Sequence, residues 1–424
     1  IVHEDHKAPV VAVNVWYHVG SKNEQPGKTG FAHLFEHLMF NGSEHFDDDY
    51  FKPFDRVGAT GMNGTTNADR TNYFQVVPTS AIDMALWMES DRMGHLLGAV
   101  DQGKLDEQRG VVQNEKRQGE NQPYGVTRQL ITENTYPPGH PYSWTTIGSM
   151  ADLDAASLTD VQDWFKTYYG AANAVLILAG DITPEVARSK VERYFGHIPS
   201  GPPIKRDTEW IAERAGTHRG QVHDRVPQSR VYMVWNIPGW KTRDAKYLDL
   251  VSDLFAAGKT SRLYKRLVYD SQIATDARSY VSLREIGGLF YFDAIVAPGV
   301  EPRLVELALR EELQRLLADG LTSQELQRLK TNYTSNFVRS IERVGGFGGK
   351  SDLLAQGEIY GDGPGHYLRH LEWVEAASSE DLRSTAQRWL SDGVYILTVL
   401  PYDEGETTTA SIDRSTGVPT VGPP

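Results

Sequence analysis

The sequence predicts an α+β fold of two similar domains, each a mainly antiparallel sheet with helices packed on one face. Three observations carry this expectation. Residues 155–180 (AASLTDVQDWFKTYYGAANAVLILAG) align without a gap on 376–401 (AASSEDLRSTAQRWLSDGVYILTVLP), an offset of 221. Both segments read as a capped amphipathic helix followed by an apolar strand. The same offset lays the strand VVAVNVWYHVG (10–20) on VYMVWNIPGWK (231–241), and the helix QRGVVQNEKRQ (108–118) on LKTNYTSNFVR (329–339). Repetition at this length means a duplicated domain, because solenoid periods run about 20–50 residues. Finally, strands fall in hairpin-like groups beside long helical patterns at 81–98, 301–319 and 322–343, the signature of helices laid on a sheet.

Taken in order, residues 1–200 form the first domain and PSGPPIKRD (199–207) is a turn-rich linker. Residues 208–402 form the homologous second domain, and the polar tail 403–424 is expected to be extended or mobile. The chain has 424 residues, a length that fits two or three domains. Its net charge of −13 argues against nucleic acid or an anionic membrane surface as partner. There is no cysteine, so disulfides and thiolate metal sites are excluded, and any transition metal must sit on His, Asp or Glu. No apolar run approaches the roughly 18 residues of a membrane span. The first residue is Ile1 rather than Met, which is read as a targeting segment already removed, with a periplasmic location expected and a cytoplasmic one as the alternative.

The chemistry-bearing stretch is GKTGFAHLFEHLMF (27–40). At about 100° per residue, Phe31, Leu34, Phe35 and Leu38 share one helix face, while His33, Glu36 and His37 share the other. His33 and His37 are i and i+4, so their imidazoles project side by side and can share a cation, with the Glu36 carboxylate beside it. The order is H-x-x-E-H, the reverse of the commoner H-E-x-x-H zinc motif. Two solvated histidines on a polar helix face are the alternative. A catalytic zinc site takes three protein ligands and leaves room for water. Glu115 in LDEQRGVVQNEKRQ (105–118) is the best third ligand, because it follows Val111 and Val112 on the seam of its helix, where a carboxylate is costly to bury without a cation. Glu107, eight residues earlier on roughly the same face, is a candidate acid behind the metal.

HLFEH, a Glu115 segment about 77 residues later and the weakly repeated half resemble the pitrilysin family of inverzincin metallopeptidases, which includes insulin-degrading enzyme and the mitochondrial processing peptidases. The likeness is strongest to the short bacterial members. It implies a zinc endopeptidase with one Zn2+ per chain, His33, His37 and Glu115 as ligands and Glu36 as general base, acting on peptides or unfolded segments. It also implies that the segment 58–78 pairs strands beside the metal helix and that Asn63, Gly64 and Thr65 receive substrate as an added strand. Asn63-Gly64 equally reads as a hairpin turn.

The second half keeps the frame without the metal: at the same offset, His33, His37 and Glu115 fall on Leu254, Gly258 and Asn336. Active relatives carry an Arg and, seven residues on, a Tyr after a Ser-Arg-Leu sequence. In TSRLYKRLVYDSQIATDARSY (260–280) those places hold Val268 and Thr275, with Tyr264, Arg266 and Tyr269 out of register. The resemblance therefore implies a heterodimer in which a zinc-less homologous subunit supplies Arg and Tyr; a homodimer stays open. The rival functions are a non-catalytic structural subunit descended from such a peptidase and a metal- or peptide-binding module. GGFGGKS (345–351) lacks the first Gly of a phosphate loop and reads as a hinge between helices. The aromatics of WFKTYYG (164–170) read as core, and HFDDDYF (45–51) as a solvated loop, since the Gly and distal Glu of a calcium loop are missing.

Overall fold

The computed structural model describes residues 1–402, so the tail expected at 403–424 lies outside the described residues. Ten strands form two five-stranded sheets. The first contains β1 (Val2–Glu4), β2 (Val10–Tyr17), β3 (Thr60–Thr66), β4 (Thr71–Pro78) and β5 (Ala174–Gly180), in the order β1-β5-β2-β4-β3. The second contains β6 (Thr217–Asp224), β7 (Arg230–Ile237), β8 (Ala274–Leu283), β9 (Gly288–Val296) and β10 (Val394–Pro401), in the order β6-β10-β7-β9-β8. The two orders are the same permutation. In each sheet only the first pairing, β1 with β5 and β6 with β10, is parallel. The α+β class and the duplication therefore stand at the level of topology.

Helix boundaries follow the sequence signals. Ser157 and Ser378, separated by the offset of the repeat, each open a helix with a reciprocal capping box to Asp160 and Asp381. The apolar patterns become the helices Ile82–His95, Pro302–Asp319 and Ser323–Ser340. The glycine-rich 345–351 does separate two helices, with Gly346 and Gly348 at φ 75° and 67°. In the first sheet, Val11, Val13, Val15 and Tyr17 of β2 face the main helical layer, where Leu34, Phe35, Leu38, Leu86 and Val112 are buried. Trp164 and Tyr169 lie in the same core, as the aromatic reading required.

The chain divides into two compact units. Unit 1 comprises Ile1–Gln118, Gly139–Asp207 and Thr334–Leu371; unit 2 comprises Gly119–Pro138, Thr208–Tyr333 and the residues from Glu372 onward. The expected bounds of 1–200 and 208–402 are corrected by this exchange. Its physical reason is the second face of each sheet. In unit 1 that face carries Ala12, Trp16, Ile177 and Ala179, covered by Ala355 of the helix Lys350–Tyr360. Asn14, fully buried on the same strand, donates to Ser351 Oγ at 3.1 Å and Asp352 Oδ1 at 2.8 Å, which fixes the helix against the sheet. In unit 2 the helix Thr127–Thr135 plays the same part: the Asn236 side chain of β7 donates to Thr135 O at 3.0 Å. Each sheet thus has its main helical layer on one face and a single helix on the other.

Candidate metal centre

The helix Phe31–Leu38 is built from both ends of its sequence pattern. Its apolar face is buried, and it starts at Gly30, whose φ of 85° turns the chain into the helix. A Cβ there would meet Ile147 O at 2.6 Å. No side chain of the cap residue reaches back, and Glu24 fills that place. Its carboxylate accepts from Gly30 N at 3.1 Å and Ala32 N at 2.8 Å, so a buried acid ends the helix at its positive pole. The sequence pattern did not show Glu24, because it lies outside the helix and reaches it only through the intervening loop.

On the polar side, one nitrogen of His33, one of His37 and one oxygen of Glu115 lie within 4.8 Å of one another. Glu115 comes from the helix Gln102–Glu120. Its two oxygens are each 3.7 Å from a histidine, Oε2 from His33 Nε2 and Oε1 from His37 Nε2. A tetrahedral ion with bonds of about 2.0–2.1 Å holds its ligands roughly 3.3 Å apart, so the donor set fits a zinc ion with slight contraction. Gln108 Oε1 lies 3.3 Å from His37 Nδ1 and so turns Nε2 toward the cluster. His33 Nδ1 is buried with no hydrogen-bond partner among the described residues. Burial, and then the neighbouring His37, push the His33 pKa down to about 4, so the imidazole is neutral and able to ligate.

Glu36 is 8% exposed and accepts a hydrogen bond from the Thr66 hydroxyl of β3. Burial pushes its pKa up to about 7, against the pull of Thr66 and Arg70, while Glu115 adds to the rise. A carboxyl tuned near neutrality can both take and return a proton. Arg70 also donates to Thr65 O at 2.7 Å and so ties the end of β3 to the site.

Several expectations need correction. Glu115 is not on a buried seam: Val112 is fully buried, but Val111 is exposed and the Glu115 side chain is 45% exposed. The helix meets the core along Leu105, Val112 and Lys116, one step round from Glu115. Glu107 is exposed, and Gln108 is the residue that reaches a histidine. Asn63-Gly64 is not a turn. Both residues lie inside β3, paired with Phe74 and Tyr73, and the turn of that hairpin is at 67–70, where Asn67 Oδ1 accepts from Asp69 N and Arg70 N. Asn63, Gly64 and Thr65 do sit on an edge strand, since among the described residues β3 pairs only with β4.

In the second half, Val268 is half-buried and Thr275 is exposed at the start of β8. Arg262 of the Ser-Arg-Leu sequence is committed to Glu325, and Arg266 lies 3.1 Å from Glu311. Tyr269 is exposed.

With this geometry in view, the comparisons with known proteins are direct. Residues 1–142 match the model of the insulinase family, peptidase family M16, and residues 155–333 match that of the peptidase M16 inactive domain. The chain belongs to the M16 peptidase family. It is similar to the zinc protease PqqE of Helicobacter pylori, at 29% identity over 84% of this chain and 81% of that protein. Among solved structures it resembles a protease from Helicobacter pylori, with a TM-score of 0.86, 26% identity and coverage of 94% and 97%. It also resembles the periplasmic protease PqqL from Escherichia coli, with a TM-score of 0.76 and 15% identity, a likeness of fold that covers 94% of this chain but 46% of that one. Among the described residues, no helix is long and apolar enough to cross a membrane.

Proposed function

We propose that this chain is the zinc-carrying subunit of a metalloendopeptidase that hydrolyses peptides or unfolded segments. The observation that carries the reading is the junction of His33, His37 and Glu115 around one point, with the buried Glu36 on the same helix. His33, His37 and Glu115 would hold one Zn2+. When bound, zinc supplies a Lewis acid for the scissile carbonyl and a water of lowered pKa. Glu36 accepts a proton from the attacking water and delivers it to the leaving amine, held for both transfers by the Thr66 hydroxyl. The substrate adds as a strand to the edge of β3 at Asn63, Gly64 and Thr65, next to Thr66, which brings a peptide bond past Glu36.

The site is completed by a homologous zinc-less subunit that supplies an Arg/Tyr pair. One observation supports this: Val268 and Thr275 stand where the resemblance expects the Arg and the Tyr. A periplasmic location is supported by the description of PqqL alone. A non-catalytic subunit is the second reading, favoured by the match of 155–333 to an inactive-domain model. The complete H-x-x-E-H set weighs against it.

The test is metal content together with hydrolysis of a quenched-fluorescent peptide mixture, with the chain alone and with its zinc-less homologue added. Hydrolysis is expected to appear with the partner and to fall about 10²–10⁴-fold in Glu36→Gln, while zinc stays bound. Hydrolysis that survives Glu36→Gln would overturn the reading.

A further inference from the structure

A second group of metal-ligating side chains lies in unit 1, apart from the H-x-x-E-H site, and includes His45 at the start of the 45–51 segment read above as a solvated loop. One oxygen of Glu44 and one nitrogen each of His45 and His95 lie within 4.8 Å of one another. Glu44 and His45 belong to the loop after the motif helix, and His95 ends the helix Ile82–His95. We propose that Glu44, His45 and His95 form a second divalent transition-metal site of the zinc class, separate from the H-x-x-E-H motif.

The donor spacing supports this. Glu44 Oε2 is 3.5 Å from His95 Nδ1, close to the roughly 3.3 Å between two ligands of a tetrahedral ion. What sets the cluster apart from a chance meeting of surface residues is how each imidazole is held behind. A ligating histidine nearly always gives its other ring N–H to an acceptor, which fixes the tautomer and aims the free lone pair. His45 Nδ1 is 2.6 Å from Asp91 Oδ1, leaving Nε2 as the ligand atom. Asp91 is itself 4% exposed, and its other oxygen accepts from the Ser43 hydroxyl and from His45 N. His95 Nε2 is 3.3 Å from His197 Nε2, so with Nδ1 turned to the metal, the other ring nitrogen of His95 has a hydrogen-bond partner in His197. Both imidazoles therefore have a partner on the nitrogen that would not bind metal.

The framework is fixed as well. Glu44 N donates to His95 O at 2.9 Å, and the loop closes on itself through Ser43 N to Phe46 O at 2.9 Å. The loop is thus pinned to the C-terminus of a helix, where the macrodipole favours a positive charge. Three nitrogen and oxygen donors with no thiolate suit Zn2+, and water completes the shell.

The test is Zn2+ binding by the untagged, chelator-stripped full chain at pH 7.5, followed by calorimetric titration with bound metal counted by elemental analysis. Two ions per chain are expected, of which His45→Ala/His95→Ala removes one and His33→Ala/His37→Ala the other. Asp91→Asn is expected to weaken the second ion about 10–100-fold without touching the first. His45→Gln/His95→Gln, which keeps side-chain volume and polarity, serves as the control for folding and is expected to lose the same ion. If the His45/His95 pair can be replaced, by Ala or by Gln, with no change in zinc number or affinity, the proposal is overturned. It is also overturned if the wild type binds only the ion removed by His33→Ala/His37→Ala. Loss of binding at the motif alone bears on the proposed function and leaves this site standing.

Discussion

Gly64 shows how closely single residues set the site. A Cβ there would lie 2.7 Å from the Phe40 ring and 3.0 Å from Tyr73, so the strand carrying the proposed substrate edge lies flat on an aromatic floor. Gly64→Ala is expected to cost about 1–3 kcal/mol through overpacking, read as a lower denaturation midpoint. Glu24 is the second such residue. Burial pushes the Glu24 carboxyl well above the usual carboxylate range, so its part is to accept two backbone hydrogen bonds. Glu24→Gln turns one of those oxygens into an NH2 donor facing Gly30 N or Ala32 N, and about 1–3 kcal/mol of stability is expected to go. Zinc affinity should fall with it, because His33 lies within the first turn. Unchanged zinc binding in a destabilised variant would show the cap to be structural only. His33, Glu36 and His37 were legible in the sequence because helical periodicity alone places them together. Glu24, Gln108 and Thr66 were not, because each reaches the helix through tertiary contact that no local spacing encodes.

Elements tell a similar story with one instructive failure. The gapless offset of the repeat holds for helices, where both capping boxes fall on it. It fails for strands. Val11, Val13 and Val15 face the main helical layer, and so do Val231, Met233 and Trp235. An odd offset pairs Val11 with Tyr232, which faces the other way. A strand displaced by one residue inverts every side chain, whereas a helix shifted by one turns by only about 100°, so apolar similarity hides the slip. The helix over the outer face was equally hidden, because its cover is specified by buried polar partners. Asn14→Ala would strip Asp352 Oδ1 of its donor and leave only Gly348 N on Oδ2, and a loss of about 1–3 kcal/mol is expected in chemical denaturation. A change below about 0.5 kcal/mol, the usual size for a surface site, would mean the helix is held by apolar contacts alone.

At the scale of the whole molecule, acid stability has an identifiable contributor. Glu306 in unit 2 is 3% exposed, and although burial would raise its pKa, hydrogen bonds from Arg219, Arg303 and Arg310 hold it at about 2. A folded-state pKa below the ordinary carboxyl value near 4.3 contributes stability above that pH and loses it as pH falls toward 2. Glu306→Gln is therefore expected to be less stable than wild type by about 1–3 kcal/mol at pH 7, with the gap closing between roughly pH 4.5 and 2. A gap that stays constant across that range would rule out the charged network as its source. The exchanged segments make a further prediction: residues 1–207 expressed alone lack the helix Lys350–Tyr360, leave Trp16 and Ile177 uncovered, and are expected to aggregate or stay molten. Adding 334–371 in trans as a peptide should restore a cooperative transition.

The same exchange sets a clock on synthesis. When residue 207 has left the ribosome, every strand of the first sheet exists, yet its outer apolar face has nothing to close on until residue 371 follows. At translation rates of about 5–20 residues per second, that interval is on the order of ten to thirty seconds. For that time the nascent chain carries a complete but half-dressed sheet, its Trp16 and Ile177 face open to water until the helix Lys350–Tyr360 arrives.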